Sequence, residues 1–152
     1  MKWTTNDINL YLQSKEYVDT AVIPLIPVSW SSNVKKTIEI GEFTSILSHE
    51  IERQFKGRLI LYPAFTYSEK EGRTQSLARL QTWSDEILTN GLKHIVYVTA
   101  DSQWKGYENE LAGTIISLPS IPLEHLDEKL KQSMFQDQMK SLITLFMRIW
   151  QS

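Results

Sequence analysis

The sequence predicts an α/β protein with three layers, in which helices flank a four-stranded, mostly parallel sheet and a long helix ends the chain. Two observations support this prediction. Helical patterns alternate with four short apolar runs, the order that a parallel sheet requires. The clearest unit runs from Asn90 to Asp101, where a helix end, a glycine and the apolar run 93–99 lead into a polar loop. A continuous apolar run indicates a strand buried on both faces.

Length and composition fit one domain, residues 1–152, with a core of its own. Of the 152 residues, 41% are hydrophobic and 22% charged, as in ordinary globular proteins. The net charge of −2 offers no basic surface to nucleic acid or to an anionic membrane. The chain has no cysteine, which excludes thiol catalysis and fits a reducing compartment. No signal peptide or membrane-spanning run is predicted, and we expect a soluble cytoplasmic protein.

The apolar patterns predict the order of the elements. The four strands are predicted over residues 20–28, 58–62, 93–99 and 113–118. Residues at helical spacing predict helices over 4–15, 34–55, 74–88 and 123–150, with a two-turn helix within 101–111. Residues 64–72 carry no secondary-structure signal and are predicted to form a polar loop. We predict right-handed crossovers and the strand order 2-1-3-4.

Two residues interrupt these patterns. Pro24 lies within the first predicted strand, and proline cannot donate a hydrogen bond to a neighbouring strand. Either the strand bulges at Pro24, or its regular pairing stops at Ile23. Gly41 lies inside the second predicted helix and is expected to split or bend it.

Three stretches resemble one enzyme family, the creatininase-type amidohydrolases. The segment Val-Asp-Thr-Ala-Val-Ile-Pro-Leu at 18–25 is similar to the first strand of that family. Residues 77–101, with the Asn90-Gly91 turn, resemble its helix, glycine and following strand, and residues 62–68 resemble a proline-containing loop. The resemblance covers about residues 16–105. It implies the creatininase fold and metal-dependent hydrolysis of cyclic or linear amides.

The metal site of that family does not carry over. The family's first loop reads Gly-Ser-x-Glu-Gln-His-Gly, whereas residues 26–33 here read Ile-Pro-Val-Ser-Trp-Ser-Ser-Asn. The third loop retains only Asp101, and one carboxylate does not hold a catalytic divalent ion. We therefore predict no metal and no cofactor. The whole chain also resembles a small family of uncharacterised proteins, of unknown function, from Bacillus-type bacteria.

Other catalytic motifs are missing from the sequence. No Gly-x-Ser-x-Gly motif surrounds Ser29. His49 and Glu50 begin a zinc-helix pattern, but the second histidine is replaced by Arg53. There is no Gly-x-Gly-x-x-Gly motif and no Gly-Lys-Ser/Thr motif, so common nucleotide sites are excluded.

Ligands of open parallel sheets bind beyond the carboxyl ends of the strands. This rule selects eight candidate binding residues: Ser29, Trp30, Tyr62, Tyr67, Ser68, Thr99, Asp101 and Trp104. Asp101 is the strongest single candidate, as a general base or ligand, and the alternative is that it caps the next helix. Trp30, Tyr67 and Trp104 either form an aromatic wall for a ligand or cover the sheet as core.

These features predict a non-catalytic binding or regulatory protein that takes an unknown partner protein or small ligand at the strand ends. The alternative is a creatininase-type amidohydrolase with a reduced or rebuilt site around Asp101. A third interpretation is a homo-oligomer joined through the C-terminal helix, whose apolar stripe either packs on the sheet or meets a second copy.

Overall fold

The described residues, 1–30 and 33–151 of a computed structural model, form one parallel sheet covered by helices on both faces. Ser31 and Ser32, predicted in the loop after the first strand, lie outside the described residues, as does Ser152. The strands are β1 (Thr20–Pro27), β2 (Leu59–Leu61), β3 (Phe65–Tyr67), β4 (His94–Thr99) and β5 (Thr114–Ser117). The helices are α1 (Thr5–Gln13), α2 (Val34–Gln54), α3 (Arg73–Thr89) and α4 (Glu128–Gln151), with 3-10 segments at Glu69–Glu71 and Ser102–Glu110.

The strand order follows the path β2-β1-β4-β5, with β3 also paired to β1. Every strand pair is parallel. For the four strands predicted from the sequence this path is the order 2-1-3-4, so that prediction is confirmed. One hydrophobic cluster joins the sheet to α1 and α3, and a second joins its other face to α2 and α4. The predicted α/β class, with helices flanking the sheet and a long C-terminal helix, is confirmed.

The sheet has one strand more than predicted, because β3 lies in the segment predicted to be a loop. β3 pairs with Leu25–Pro27, whereas β2 pairs with Thr20–Val22. Both short strands therefore lie on the same edge of β1, and the chain between them contains Pro63. Burial alternates along β3 as buried, exposed, buried. A single apolar-polar-apolar alternation does not distinguish a strand from a loop by sequence, whereas the equally short β2 is an unbroken apolar run.

Pro24 does not end the pairing of β1. Pairing with β4 continues through Pro24, which lies opposite Val98, so the prediction of an end at Ile23 is wrong. The Val22 carbonyl accepts a hydrogen bond from Tyr62 N–H at 2.8 Å, towards the β2 edge. Alternate residues of a strand point their backbone groups to the same side, so Pro24 also faces that edge. Its missing N–H therefore falls beside the interruption between β2 and β3.

Two helices differ from their predicted form. α2 is continuous through Gly41, where an added Cβ would lie 2.8 Å from Ile26 Cγ2. The glycine therefore lets the helix approach β1 and does not split it. α4 begins at Glu128 rather than Leu123, because the Asp127 carboxylate caps it by accepting the Leu130 N–H at 2.7 Å. Across residues 1–30 and 33–151, no helix combines the length and apolar character needed to cross a membrane.

The C-terminal helix packs its central apolar residues on the sheet. Its buried side chains are Phe135, Met139, Leu142 and Phe146. Leu130 and Met147 remain about half exposed. The predicted homo-oligomer through this helix stays a prediction, and sedimentation at two protein concentrations tests it.

We expect Gly113→Ala to lower the free energy of unfolding by about 1–3 kcal/mol, the usual range for overpacking. A Cβ at Gly113 would lie 2.2 Å from the backbone oxygen of Ile95 and 2.8 Å from its carbonyl carbon. The backbone of β4 would have to move, because no flexible side chain is available to yield. Gly106→Ala is the matched control, since nothing lies within 4 Å of its Cβ position. Equal thermal midpoints for the two variants would contradict this prediction.

Candidate functional site

Polar side chains surround a cavity of about 170 Å³ at the carboxyl end of the sheet. The ends of β1 and β3, the start of α3 and the loop after β4 contribute its walls. The lining residues are Pro27, Ile40, Tyr67, Ser68, Glu69, Gly72, Arg73, Ser76, Asp101 and Gln103. We call this space the strand-end cavity. Its position is where open parallel sheets bind ligands.

Asp101 is held in place from several directions. Its Oδ2 accepts a hydrogen bond from the Tyr67 hydroxyl at 2.7 Å, and its Oδ1 accepts the backbone N–H of Gln103 at 3.1 Å. The Asp101 N–H donates to Thr99 Oγ1 at 2.9 Å, and that hydroxyl donates to the Leu25 carbonyl at 3.1 Å. Asp101 therefore caps the 3-10 segment, as its alternative interpretation holds, and also lines the cavity.

Tyr67 is a fixed hydrogen-bond donor. Burial raises the pKa of its hydroxyl, and the neighbouring Asp101 carboxylate raises it further. The indole N–H of Trp104 donates to the Tyr67 oxygen at 2.9 Å and lowers this pKa. The two effects that raise the pKa are larger. The net pKa lies well above the ordinary value for tyrosine. The hydroxyl stays protonated at neutral pH and continues to donate to Asp101.

Arg73 supplies the one buried side-chain donor that lacks a hydrogen-bond partner within the described residues. Its guanidinium lies over the Trp104 ring at 4.5 Å, and Nη2 lies 3.9 Å from Asp101 Oδ2. Nη2 also donates to Gln103 Oε1. Nη1 is buried and makes no hydrogen bond to the described part of the chain. Because buried polar atoms are nearly always paired, such an atom indicates a missing acceptor.

The start of α3 faces the same cavity. Gly72, the N-cap residue, has a φ of 83° and provides no side chain to cap the first turn. Helix N-termini carry partial positive charge and favour anionic groups. Arg73 is the first residue of this helix, where a positive charge is electrostatically unfavourable. Arg73 was not among the eight predicted site residues, although an arginine directly after a glycine cap is a sequence signal for such a site.

Three of the eight predicted site residues line the strand-end cavity, namely Tyr67, Ser68 and Asp101. Thr99 and Trp104 are buried behind it and hold Asp101 and Tyr67. Ser29 supports the loop, because its hydroxyl accepts the Glu69 N–H at 2.7 Å and donates to Ser68 Oγ at 3.4 Å.

The predicted aromatic wall is not formed. Trp104 is fully buried and Tyr67 is 4% exposed, so both belong to the core, while Trp30 is 94% exposed. Tyr62 lies outside the cavity, against the ring of Trp3 at 4.5 Å between centroids. The order of strands and loops along the sequence shows where each loop begins. It does not show which loop side chains point into the protein and which point into solvent.

A comparison with protein families matches residues 9–150 to the model described as protein of unknown function (DUF2487). The chain belongs to the DUF2487 family. This DUF2487 chain is 37% identical over 150 residues to the uncharacterized protein YpiF of Bacillus subtilis (strain 168), covering 99% of this chain and 98% of that protein. The prediction of an uncharacterised Bacillus-type family is confirmed. No solved structure matches the DUF2487 chain.

The resemblance of this DUF2487 chain to the creatininase-type amidohydrolases stays a prediction. Within residues 1–30 and 33–151, no group of three or more histidine, aspartate or glutamate side chains is arranged to hold a metal ion. The donors at the strand-end cavity are a guanidinium, an amide and hydroxyl groups, beside two carboxylates: that of Asp101, which is already hydrogen-bonded, and that of the exposed Glu69. This set suits binding of a polar ligand.

Proposed function

We propose that this chain is a non-catalytic, single-domain cytosolic protein that binds a small carboxylate-bearing ligand in the strand-end cavity. The observation that carries the proposal is the buried Nη1 of Arg73, which lacks an acceptor among the described residues. A carboxylate oxygen would satisfy this donor, since guanidinium and carboxylate match in geometry. The cysteine-free composition fits the cytosol.

Three further features support an acidic ligand of small size. The uncapped start of α3 favours a negative group near Gly72. Of the two carboxylates that line the cavity, that of Asp101 is already shared among Tyr67, the Gln103 N–H and Arg73, and that of Glu69 is exposed to screening solvent, which reduces their repulsion of a ligand. A cavity of about 170 Å³ has the volume of roughly five or six water molecules. Such a space suits a short carboxylic acid.

Isothermal titration with acetate and succinate tests the proposal. We expect binding to the wild type, and a loss of about tenfold or more in affinity for Arg73→Gln, since hydrogen bonds to charged groups contribute roughly 1.5–3 kcal/mol. Arg53→Gln removes the same charge from an exposed position on α2 and should leave affinity unchanged. Absence of binding to the wild type, or equal affinities for Arg73→Gln and wild type, would count against the proposal.

The amidohydrolase alternative makes a different prediction for the same sample. A hydrolase of creatininase type requires a stoichiometric divalent metal. Elemental analysis of untagged protein, with a thermal-shift scan over Mg, Mn and Zn, measures this directly. A bound metal that raises the melting temperature of the wild type, but not of Asp101→Ala, would favour the hydrolase over the binding protein.

A further inference from the structure

Three aromatic side chains form a second pocket, separate from the strand-end cavity. The pocket measures about 250 Å³ and is lined by Trp3, Tyr62, Pro63, Trp83 and Glu86. We call it the aromatic pocket. None of the described residues lines both this pocket and the strand-end cavity. Its occupant is therefore independent of the proposed carboxylate ligand.

The rings are held by three different parts of the fold. The Trp3 and Tyr62 centroids lie 4.5 Å apart at 47°, and those of Tyr62 and Trp83 lie 6.3 Å apart at 44°. Trp83 projects from α3 and meets Phe65 edge-on at 5.2 Å. The backbone N–H of Tyr62 is bonded to β1. The tilted rings thus line a preformed concave surface and do not collapse into one flat stack.

The pocket carries one negative charge at its edge. Glu86 lies one helical turn after Trp83 on α3 and is exposed. Within the described residues its carboxylate takes part in no ion pair. Burial raises the pKa of the Tyr62 hydroxyl, and the Glu86 carboxylate raises it further, so the charge acts on the pocket itself. The combination favours a cation.

Cations occupy aromatic faces elsewhere in this protein. Arg58 lies 4.3 Å from the Trp150 ring centroid, Arg73 lies 4.5 Å from that of Trp104, and Arg79 lies 4.6 Å from that of Phe65. In residues 1–30 and 33–151, no lysine or arginine stacks over the rings of the aromatic pocket. The electron-rich faces of these rings are therefore available to a cation from outside the chain.

We propose that the aromatic pocket binds a small quaternary ammonium compound. Aromatic faces attract cations within about 6 Å of the ring centroid, and tryptophan is the strongest such partner. A quaternary ammonium group has no N–H and donates no hydrogen bond to water, so its hydration is weak. The indole and phenol faces can therefore take the place of the surrounding water. Glu86 supplies the opposite charge, and the pocket volume limits the ligand to a small molecule.

A nuclear magnetic resonance titration of the indole N–H signals tests this proposal with choline chloride at matched ionic strength. The uncharged isostere 3,3-dimethyl-1-butanol is the ligand control. Choline should shift the Trp3 and Trp83 signals at lower concentration than the alcohol does. We expect Glu86→Gln to weaken choline binding by about two- to fivefold, the range for one exposed charge contact, and Trp3→Leu to weaken it by at least as much.

Matched control variants distinguish binding in the aromatic pocket from a general effect of charge or of exposed indole groups. Asp85→Asn removes the neighbouring exposed charge of α3, and Trp30→Leu removes an exposed indole outside the pocket; both should bind choline as the wild type does. If circular dichroism shows that Trp3→Leu is misfolded, the Glu86→Gln variant alone still tests the proposal. The proposal is overturned if the alcohol binds as tightly as choline, if Asp85→Asn weakens binding as much as Glu86→Gln, or if a trimethyllysine peptide binds more tightly than choline.

Discussion

Alanine in place of Trp104 is expected to lower the free energy of unfolding by about 3–5 kcal/mol, the usual cost of removing a fully buried tryptophan. The Trp104 side chain is completely buried and meets the Tyr67 ring edge-on at 5.3 Å. Its indole also donates to the Tyr67 hydroxyl and supports the Arg73 guanidinium. The variant would therefore lose core packing and the platform beneath the strand-end cavity together. Urea unfolding followed by far-ultraviolet circular dichroism measures the change.

Trp30→Ala provides the matched control, because this tryptophan is 94% exposed. Its unfolding free energy should change by no more than about 0.5 kcal/mol, as for most surface substitutions. Trp104→Phe retains a ring but removes the N–H donor, and should fall between the wild type and Trp104→Ala. If Trp104→Ala and Trp30→Ala unfold at the same urea concentration, Trp104 does not belong to the core.

Alanine in place of Glu52 is expected to destabilise a chain that begins at Met1 by about 3–5 kcal/mol, as for other broken buried ion pairs. The Met1 ammonium donates to Glu52 Oε2 at 3.1 Å and to the carbonyls of Lys56 and Leu59 at 3.2 and 2.7 Å. The side chains of Met1 and Glu52 are only 6% and 2% exposed. Removing the carboxylate would leave the ammonium buried without its counter-charge.

The Glu50–Arg53 pair lies on the same helix and gives the control for a general charge effect. Its arginine side chain is 74% exposed, so Glu50→Ala should cost no more than about 1 kcal/mol. Glu52→Gln keeps an acceptor oxygen without the charge and should be destabilised less than Glu52→Ala. Chemical denaturation of the three variants separates these cases. A Glu52→Ala variant as stable as Glu50→Ala would show that the buried pair contributes little.

Much of the fold was predictable because burial on a regular element repeats with that element's period. The unbroken apolar runs at β1, β2, β4 and β5 and the helical spacing of α2 and α3 identify each of these elements. β3 was missed because its sequence, Phe-Thr-Tyr, is interrupted by an exposed polar residue, whereas the equally short β2 is an unbroken apolar run, Leu-Ile-Leu. Pro24 was misinterpreted because its effect depends on which neighbour its backbone faces, and that neighbour is a strand distant in sequence.

The site was predictable only for residues that lie at or just beyond the carboxyl end of a strand. Tyr67, Ser68 and Asp101 were selected by this rule and line the cavity. Arg73 and Gln103 complete the cavity from the starts of two helical segments. Their approach to the strand ends is decided by how α3 and the 3-10 segment pack on the sheet, which periodicity does not describe.

The sequence by itself determined the α/β class, the parallel sheet and the order of the elements, because these follow from local patterns of apolar residues and chain breakers. The tertiary structure alone decided which aromatic residues are buried, which donor of Arg73 lacks a partner among the described residues, and that the Met1 ammonium meets Glu52. Each of these depends on residues brought together from distant parts of the chain, and their partners are set by packing in three dimensions.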